Sequence, residues 1–250
     1  MLTPERHRII LQLLKDKNIV KIQEIMELTS SSESTIRRDL SQLEEQKFLK
    51  RIHGGASRLQ GKLKEPSMVE KSSKNLQEKR VIAKYAASLV EEGDCIYLDA
   101  GSTVIEMIEF LTIKDIAVVT NGLMHLPSLL NKGIPTYLIG GLAKPKTNAF
   151  IGRGALAGLD LYRFDKCFMG VNGIHPQFGF TTPDQEEAMV KQKAISLSRE
   201  AYILADSTKF AEIYFAKITD INNASIITNE LEDETKEQYL TRTTIKVVTT

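Results

Sequence analysis

The chain has few cysteines and no long apolar run. These two features restrict the classes of protein to which it can belong. It contains 2 cysteines, Cys95 and Cys167, in 250 residues. No second cysteine or histidine stands at ligand spacing from either, so we expect thiols packed in buried strands, with a redox or metal-binding role as the alternative. No stretch of about 18 apolar residues occurs, and the first residues do not resemble a signal peptide. We therefore expect a cytoplasmic protein without a membrane partner.

The composition is that of a globular protein. Apolar residues make up 42% of the chain and charged residues 26%, with 15 Gly and 7 Pro, which excludes the disordered and fibrous classes. This length allows one large domain, or a small domain joined to a larger one.

The overall charge is nearly balanced, but the two ends of the chain differ. The formal net charge is +1, which by itself argues against a nucleic-acid partner. Residues 1–64 carry 13 basic and 8 acidic side chains, a net of +5, whereas residues 65–250 carry 20 and 24, a net of −4. This asymmetry predicts an N-terminal module that binds a polyanion and a larger body that does not.

The first 57 residues predict three helices followed by a wing. Pro4 suits the first position of a helix that runs to about Asp16, and IQEIMEL predicts a short second helix. Ser32 is suited to cap a third helix, in which the apolar side chains recur at intervals of four and three. FLKRIHGGA then indicates a pair of strands closed by glycines.

The exposed face of the third helix carries hydroxyl and guanidinium groups, which suit base edges and phosphates in a major groove. The predicted DNA contacts on this helix and the wing are Ser32, Ser34, Thr35, Arg37, Arg38, Lys50, Arg51 and His53. Asp39 would repel phosphate, so we expect it to pair with a basic side chain or to cap backbone amides. For His53, a phosphate contact and a packed turn are equally open. A helical bundle that docks another protein is the alternative for the whole module.

In residues 58–74 the apolar side chains do not recur at a regular spacing. This segment is predicted to be a linker between residues 1–57 and a body of residues 75–250. In the body, short apolar runs alternate with segments of helix length. This alternation predicts an α/β domain with a mostly parallel sheet.

Polar and glycine-rich turns follow nearly every predicted strand of the body. Ligands bind where parallel strands end, and carboxylates and lysines there suit the hydroxyls and phosphate of a small phosphorylated sugar. The predicted effector-binding residues are Asp99, Gly101, Ser102, Thr103, Thr120, Asn121, Gly141, Asn172, Thr181, Asp184, Glu186, Glu187, Lys191, Asp206 and Lys209. The alternatives are ordinary glycine turns and, for Glu186, Glu187 and Lys191, ion pairs along one helix.

Two sets of motifs carry a family resemblance. The run TIRRDL with HGGA downstream resembles the winged helix-turn-helix of DeoR-family bacterial repressors. DAGST, and Asp206 with Lys209, resemble the sensor domain of that family, which is similar in fold to ribose-5-phosphate isomerase. The resemblance implies a repressor that binds double-stranded operator DNA and a phosphorylated sugar, without a metal or a cofactor. A lone small module binds DNA weakly, so we also expect a homo-oligomer, dimer or tetramer, assembled through the body.

Four segments, EKSSKNL, EEGDCIYLDAG, RFDK and GFTTPD, resemble the fructose operon repressors of low-GC Gram-positive bacteria. This likeness implies an effector such as fructose 1-phosphate. The alternative function is a sugar-phosphate isomerase with Glu186 or Glu187 as base and Lys209 steadying charge. The turn that resembles Asp-Gly-Ala-Asp in the isomerases is here Gly170-Val171-Asn172-Gly173, without either acid, so we expect no enzymatic activity.

Overall fold

The computed structural model describes residues 1–17, 19–46, 48–52, 54–58, 63 and 65–249. The chain forms two compact units, Met1–Gly61 and Lys62–Thr250. The predicted contact His53 lies outside the described residues.

The N-terminal unit contains the three predicted helices and a small sheet. Its elements are α1 (Thr3–Lys17), β1 (Ile19–Lys21), α2 (Ile22–Thr29), α3 (Glu33–Glu45), β2 (Leu49–Ile52) and β3 (Gly55–Arg58). β2 and β3 form the predicted wing, and β1 adds to it as a third antiparallel strand against β3. Ser32 caps α3 as predicted, because its side chain accepts a hydrogen bond from the Thr35 amide.

A buried core and a buried ion pair hold these helices together. Ile10, Ile36 and Leu40 are completely buried, as their spacing predicts for the inner faces of α1 and α3. The Arg6 guanidinium donates two hydrogen bonds to the Asp39 carboxylate, at 2.6 Å from Nε and 3.1 Å from Nη2. The prediction that Asp39 pairs with a basic side chain is confirmed, and the pair joins α3 to α1.

The C-terminal unit alternates helices and strands. Its helices are α4 (Met68–Ser73), α5 (Leu76–Ala87), α6 (Val104–Phe110), α7 (Leu126–Asn131), α8 (Gly152–Leu159), α9 (Gln185–Ser196) and α10 (Asp233–Leu240). Its strands are β4 (Cys95–Leu98), β5 (Ala117–Thr120), β6 (Thr136–Leu138), β7 (Leu142–Lys144), β8 (Ala149–Ile151), β9 (Phe164–Gly170), β10 (Gly173–His175), β11 (Gly179–Thr182), β12 (Ser198–Leu204), β13 (Ala216–Thr219), β14 (Ser225–Thr228) and β15 (Ile245–Val247).

In the described part of the chain, seven of these strands form one parallel sheet in the order β15-β14-β12-β9-β4-β5-β6. The predicted parallel α/β body is confirmed. Tyr97 and Cys167 face one apolar core, while Ile96, Leu98 and Phe168 face a second core on the other side of the sheet. Because helices cover both faces, successive side chains are buried alternately on either side, which explains the unbroken apolar runs.

Two expectations need correction. The predicted linker spans residues 58–74, but the C-terminal unit already begins at Lys62. This part of the predicted linker contains α4, with a capping box formed by Ser67 and Glu70. Cys167 is buried as expected, whereas Cys95 is exposed. Cys95 is the first residue of β4, at the end of the strand where the sheet meets solvent.

Among the residues that the structure describes, every helix is too short or too polar to span a bilayer.

The two units provide a test of the core assignment. Leu40→Ala is expected to lower the free energy of unfolding of the N-terminal unit by about 2–5 kcal/mol, a large fraction of the stability of so small a unit. Calorimetry should show its transition at a lower temperature while that of the C-terminal unit stays in place. Leu28→Ala is the matched control, because this leucine is 54% exposed. Equal shifts for the two variants would contradict the assignment.

Candidate functional site

The exposed face of α3 begins with a group of hydroxyls. Ser32 Oγ lies 3.1 Å from Ser34 Oγ and 2.9 Å from Thr35 Oγ1. Ser32 and Ser34 are exposed and Thr35 is half-buried. The start of α3 therefore presents donors and acceptors of the kind that contact phosphates and base edges.

The two arginines of α3 differ in their partners. Arg37 forms an exposed ion pair with Glu33, with Nη2 2.6 Å from Oε1, a pair of the kind that contributes little to stability and can be exchanged for another anion. Arg38 is exposed and makes no hydrogen bond or ion pair with any described residue. Its guanidinium is available for a guanine or a phosphate.

The wing is joined to α3 through Arg51. Its Nη1 donates to Ser41 Oγ at 3.0 Å, and its backbone amide donates to Glu44 Oε1 at 2.7 Å. Lys50, the preceding residue of β2, is half-buried. Arg51 thus holds the wing beside the face of α3 that carries the predicted contacts.

At the carboxyl end of β4, Asp99 forms a buried ion pair with Lys191 of α9. Asp99 Oδ2 accepts from Lys191 Nζ at 2.5 Å and from the Gly170 amide at 3.0 Å, and Lys191 Nζ also donates to the Gly170 carbonyl at 3.0 Å. Both side chains are more than 90% buried. The structure brings these two predicted residues together, 92 positions apart in the chain.

The turn after Asp99 passes close to Gly170. A Cβ on Gly101 would lie 3.2 Å from the Gly170 Cα, so only glycine fits without displacing the backbone. Asn121 fixes the same turn, because its Oδ1 accepts from the Ala100 amide at 3.1 Å. Ser102 and Thr103 are nearly buried, and their hydroxyls make no hydrogen bond with a described residue, which leaves them available to a ligand.

Thr120, after β5, fixes the tautomer of a buried histidine. Its hydroxyl donates to the Leu98 carbonyl at 2.6 Å and accepts from the Gly122 amide at 3.0 Å. Its one proton is thus used, so His125 Nδ1, 2.9 Å away, is the donor in their hydrogen bond. Burial lowers the pKa of His125 to about 4, and its Nε2 is buried without a partner among the described residues.

A second charged group, the Lys144 cluster, lies at the start of α9 and consists of Lys144, Glu65, Asp184 and Glu187. Lys144 Nζ donates to Asp184 Oδ2 at 2.9 Å, to Glu187 Oε1 at 3.1 Å and to Glu65 Oε2. Burial disfavours the ammonium, but its hydrogen bonds to Asp184 and Glu65 outweigh burial and raise the pKa of Lys144. Sequence reasoning missed Glu65 entirely and passed over Lys144, although this lysine ends the glycine-containing run IGGLAK.

The acidic residues of α9 have different roles. Glu187 is buried and accepts from Thr147 Oγ1 at 2.7 Å. Burial disfavours the charged form of Glu187, but attraction to the positive charges of Lys191 and Lys144 outweighs burial and holds the pKa of Glu187 below its ordinary value. Glu187 and Lys191 therefore face the interior and are not solvent-exposed helix ion pairs, whereas Glu186 is exposed.

At the carboxyl end of β12, Asp206 lies near two lysines. Its Oδ1 accepts from Asn75 Nδ2 at 3.1 Å, and its Oδ2 lies 3.8 Å from Lys209 Nζ. Sequence reasoning missed Lys79 of α5, which is only 4% exposed. Burial lowers the pKa of Lys79, and the nearby ammonium groups of Lys209 and Lys71 lower it further. The Asp206 carboxylate raises this pKa but does not offset the decrease. A buried, incompletely compensated ammonium favours the binding of an anion.

Three predicted residues have structural contacts. Thr181 is buried, and its Oγ1 accepts from the Tyr214 amide at 3.0 Å. Asn172 Oδ1 accepts from Thr182 Oγ1 at 3.0 Å. Gly141 has a φ of +138°, and a Cβ there would lie 2.5 Å from the Ile151 carbonyl oxygen. These contacts account for the three residue types without a ligand.

Residues that the sequence predicted and a residue that it missed, Lys79, lie along one edge of the parallel sheet, because parallel strands end on the same side. We call this group the carboxyl-edge site; it consists of Lys79, Asp99, Gly101, Ser102, Thr103, Asn121, Lys191, Asp206 and Lys209.

Comparison with known proteins identifies the family of both units. The model of the DeoR-like helix-turn-helix domain matches residues 6–61, and the model of the DeoR C terminal sensor domain matches residues 74–230. The chain belongs to the DeoR family of transcriptional regulators. The resemblance found in the sequence motifs is thereby confirmed over nearly the whole chain.

Among its relatives, two illustrate how far the likeness of this DeoR-family chain extends. One is named "Uncharacterized HTH-type transcriptional regulator FruR", from Bacillus subtilis (strain 168); it is 55% identical over 249 residues, 99% of each chain. The other is the "Lactose phosphotransferase system repressor" of Staphylococcus aureus (strain NCTC 8325 / PS 47), 37% identical over 248 residues, 98% of each chain. Among solved structures, ribose 5-phosphate isomerase A from Methanocaldococcus jannaschii aligns with 55% of each chain, at 19% identity and a TM-score of 0.42.

The buried histidine of this DeoR-family protein predicts a pH dependence of stability. The pKa of His125 is about 4 in the folded protein and about 6.5 in an unfolded chain. Between these values the unfolded chain binds the additional proton, so stability falls as the pH drops from about 6.5 to about 4, by roughly 3 kcal/mol. His125→Gln keeps a donor for Thr120 but cannot titrate. Urea unfolding should show a smaller loss for this variant, and equal losses would contradict the assignment.

Proposed function

We propose that this DeoR-family protein is a cytoplasmic repressor of a sugar-utilisation operon. Its N-terminal unit binds double-stranded operator DNA, and a phosphorylated sugar in the C-terminal unit weakens that binding. The observation that carries the proposal is the combination, in one chain, of the exposed arginine face of α3 with the buried lysines and open hydroxyls of the carboxyl-edge site. The name of the lactose phosphotransferase system repressor, a relative over 98% of this chain, supports the choice of a sugar operon.

In this proposal, α3 lies in the major groove and the wing contacts the adjacent backbone. Arg38 has no ion pair with a described residue to break, while Arg37 exchanges Glu33 for a phosphate or a base. Lys50 and Arg51 contact phosphates. A unit with a net charge of only +5 binds DNA weakly, so we infer a homo-oligomer, dimer or tetramer, that engages two half-sites.

The carboxyl-edge site suits the two ends of a phosphorylated sugar. Lys79 and Lys209 supply ammonium groups, and Ser102 and Thr103 supply unpartnered hydroxyls, so the phosphate group is assigned to them. The sugar hydroxyls are assigned to the side of α9, where carboxylates accept hydrogen bonds. We propose fructose 1-phosphate as the effector, on the basis of the motifs EKSSKNL, RFDK and GFTTPD and the name of the FruR relative.

The partners of the buried carboxylates favour sensing of a sugar phosphate over its isomerisation. A general base for isomerisation needs a free carboxylate with a pKa near the working pH. Glu187 is bonded to Lys144 and Thr147 with its pKa lowered, and Asp99 is bonded to Lys191. Of the two predicted bases, Glu187 is thus occupied and Glu186 is exposed, and the turn of residues 170–173 lacks both acids. We infer that the chain binds its sugar phosphate without converting it.

Arg38 provides the test of DNA binding. Arg38→Ala should weaken operator binding in a gel shift with the chain's own upstream DNA, and it should reduce the salt dependence of binding, because one fewer cation displaces counterions. Arg199→Ala is the matched control, since it removes one exposed arginine from the C-terminal unit. Equal weakening by the two variants would indicate a general charge effect and would contradict the assigned role of α3.

Fructose 1-phosphate provides the test of sensing. At 100 times its Kd it should stabilise the protein by about 2.7 kcal/mol, seen as a higher melting temperature. Lys209→Gln should lower its affinity about tenfold or more, because a charged hydrogen bond is lost, whereas Lys217→Gln on the surface of β13 should not. Fructose 6-phosphate and inorganic phosphate serve as comparison ligands. Equal affinity of the two variants would remove Lys209 from the phosphate site.

A further inference from the structure

The segment of residues 65–73, which follows the DNA-binding unit in the chain, is fixed to the C-terminal unit at three points. The Met68 amide donates to the Lys146 carbonyl at 2.9 Å, between β7 and β8. Glu65, 6% exposed, accepts from Lys144. The Lys71 carbonyl accepts from the ammonium of Lys79. The Met68 side chain is also buried, at 8% exposure, so apolar packing adds to these polar contacts.

One of the three attachments ends on Lys79 of the carboxyl-edge site, and another ends on Lys144, which is bonded to Glu187 of α9. Lys144 gives its three N–H donors to Glu65, Asp184 and Glu187, so any further acceptor on this ammonium must displace one of the three carboxylates. Glu187 lies one turn before Lys191 on α9, the residue that bonds Asp99 in the carboxyl-edge site. Lys79, which holds the Lys71 carbonyl, belongs to that site itself.

We propose that Lys144 is a positioning residue for induction: through Glu65 it holds the segment that leads from the DNA-binding unit, and a sugar phosphate bound beside α9 releases that segment. This inference rests on the proposed function and names the route of its regulation. A phosphate that bonds Lys79 withdraws it from the Lys71 carbonyl, and a sugar hydroxyl that accepts from Lys144 takes the N–H that Glu65 holds. The effector then binds the released state more tightly than the held state, as any shift between two states requires.

Hydrogen exchange on the unmodified full chain tests this directly. Ligand binding ordinarily slows amide exchange, because it stabilises the folded state. With saturating fructose 1-phosphate we expect the opposite in residues 66–73, where the Met68 amide loses its acceptor, while β9 exchanges more slowly. Slower exchange in both regions would overturn the inference.

A pair of variants tests the coupling between the two functions. Glu65→Gln removes the charge that Lys144 holds, so fructose 1-phosphate should bind more tightly in the absence of DNA. The ratio of operator Kd values with and without it should fall about fivefold or more toward 1. Glu70→Gln is the matched control in the same segment, because Glu70 bonds only Ser67 among the described residues, and the ratio should stay as in the unmodified protein.

The outcomes separate the two proposals. If fructose 1-phosphate releases operator equally from all three proteins, the proposed function stands and the role of Lys144 is wrong. If it does not bind the unmodified protein at all, the assigned effector and this inference fall together. If Glu65→Gln does not fold, the exchange measurement on the unmodified chain decides.

Discussion

The C-terminal unit depends on a buried ammonium group, that of Lys191, which lies between the Asp99 carboxylate and the Gly170 carbonyl. Asp99 follows β4, and Gly170 ends β9 next to it in the sheet. A charge removed from water in this way is tolerated only when its partner is fixed and its donors are used. The pair therefore joins α9 to the carboxyl ends of the central strands, and removal of Lys191 would leave the Asp99 carboxylate buried without its ammonium partner.

The same arrangement decides which residues can meet a ligand. Close approach of the turn after β4 to Gly170 requires glycine at position 101 and brings the Ser102 and Thr103 hydroxyls to the edge of the sheet. Lys79 arrives from α5 and Lys209 from the turn after β12. Hydroxyls without a described partner, at the same edge of the sheet as the buried ammonium group of Lys79, favour an anion, whereas the buried carboxylate on α9 is already bonded. The site thus combines the features expected for binding a sugar phosphate with those that disfavour proton transfer.

The two units differ in how charge is used. In the N-terminal unit the buried pair of Arg6 and Asp39 fixes α1 against α3, while the exposed arginines of α3 stay close to solvent. In the C-terminal unit the charged groups at the carboxyl ends of the central strands are mostly buried and paired. A net charge of +1 for the whole chain therefore results from two opposite distributions, and only the exposed one bears on DNA.

The sequence by itself determined the features that depend on neighbours along the chain. Helix periods, the Ser32 cap, the apolar strand runs and the charge difference between the ends predicted both units and the parallel sheet. The partners of buried charges depend instead on distant residues: Lys144 meets Glu65 across 79 positions and Asp184 across 40. Lys79 and Glu65 carry no local signal, since a lysine or glutamate in a polar run looks like a solvated side chain. Their burial, like the exposure of Cys95 at the start of β4, was decided by tertiary packing, because only the fold determines which charges are removed from water and which carboxylate each ammonium meets.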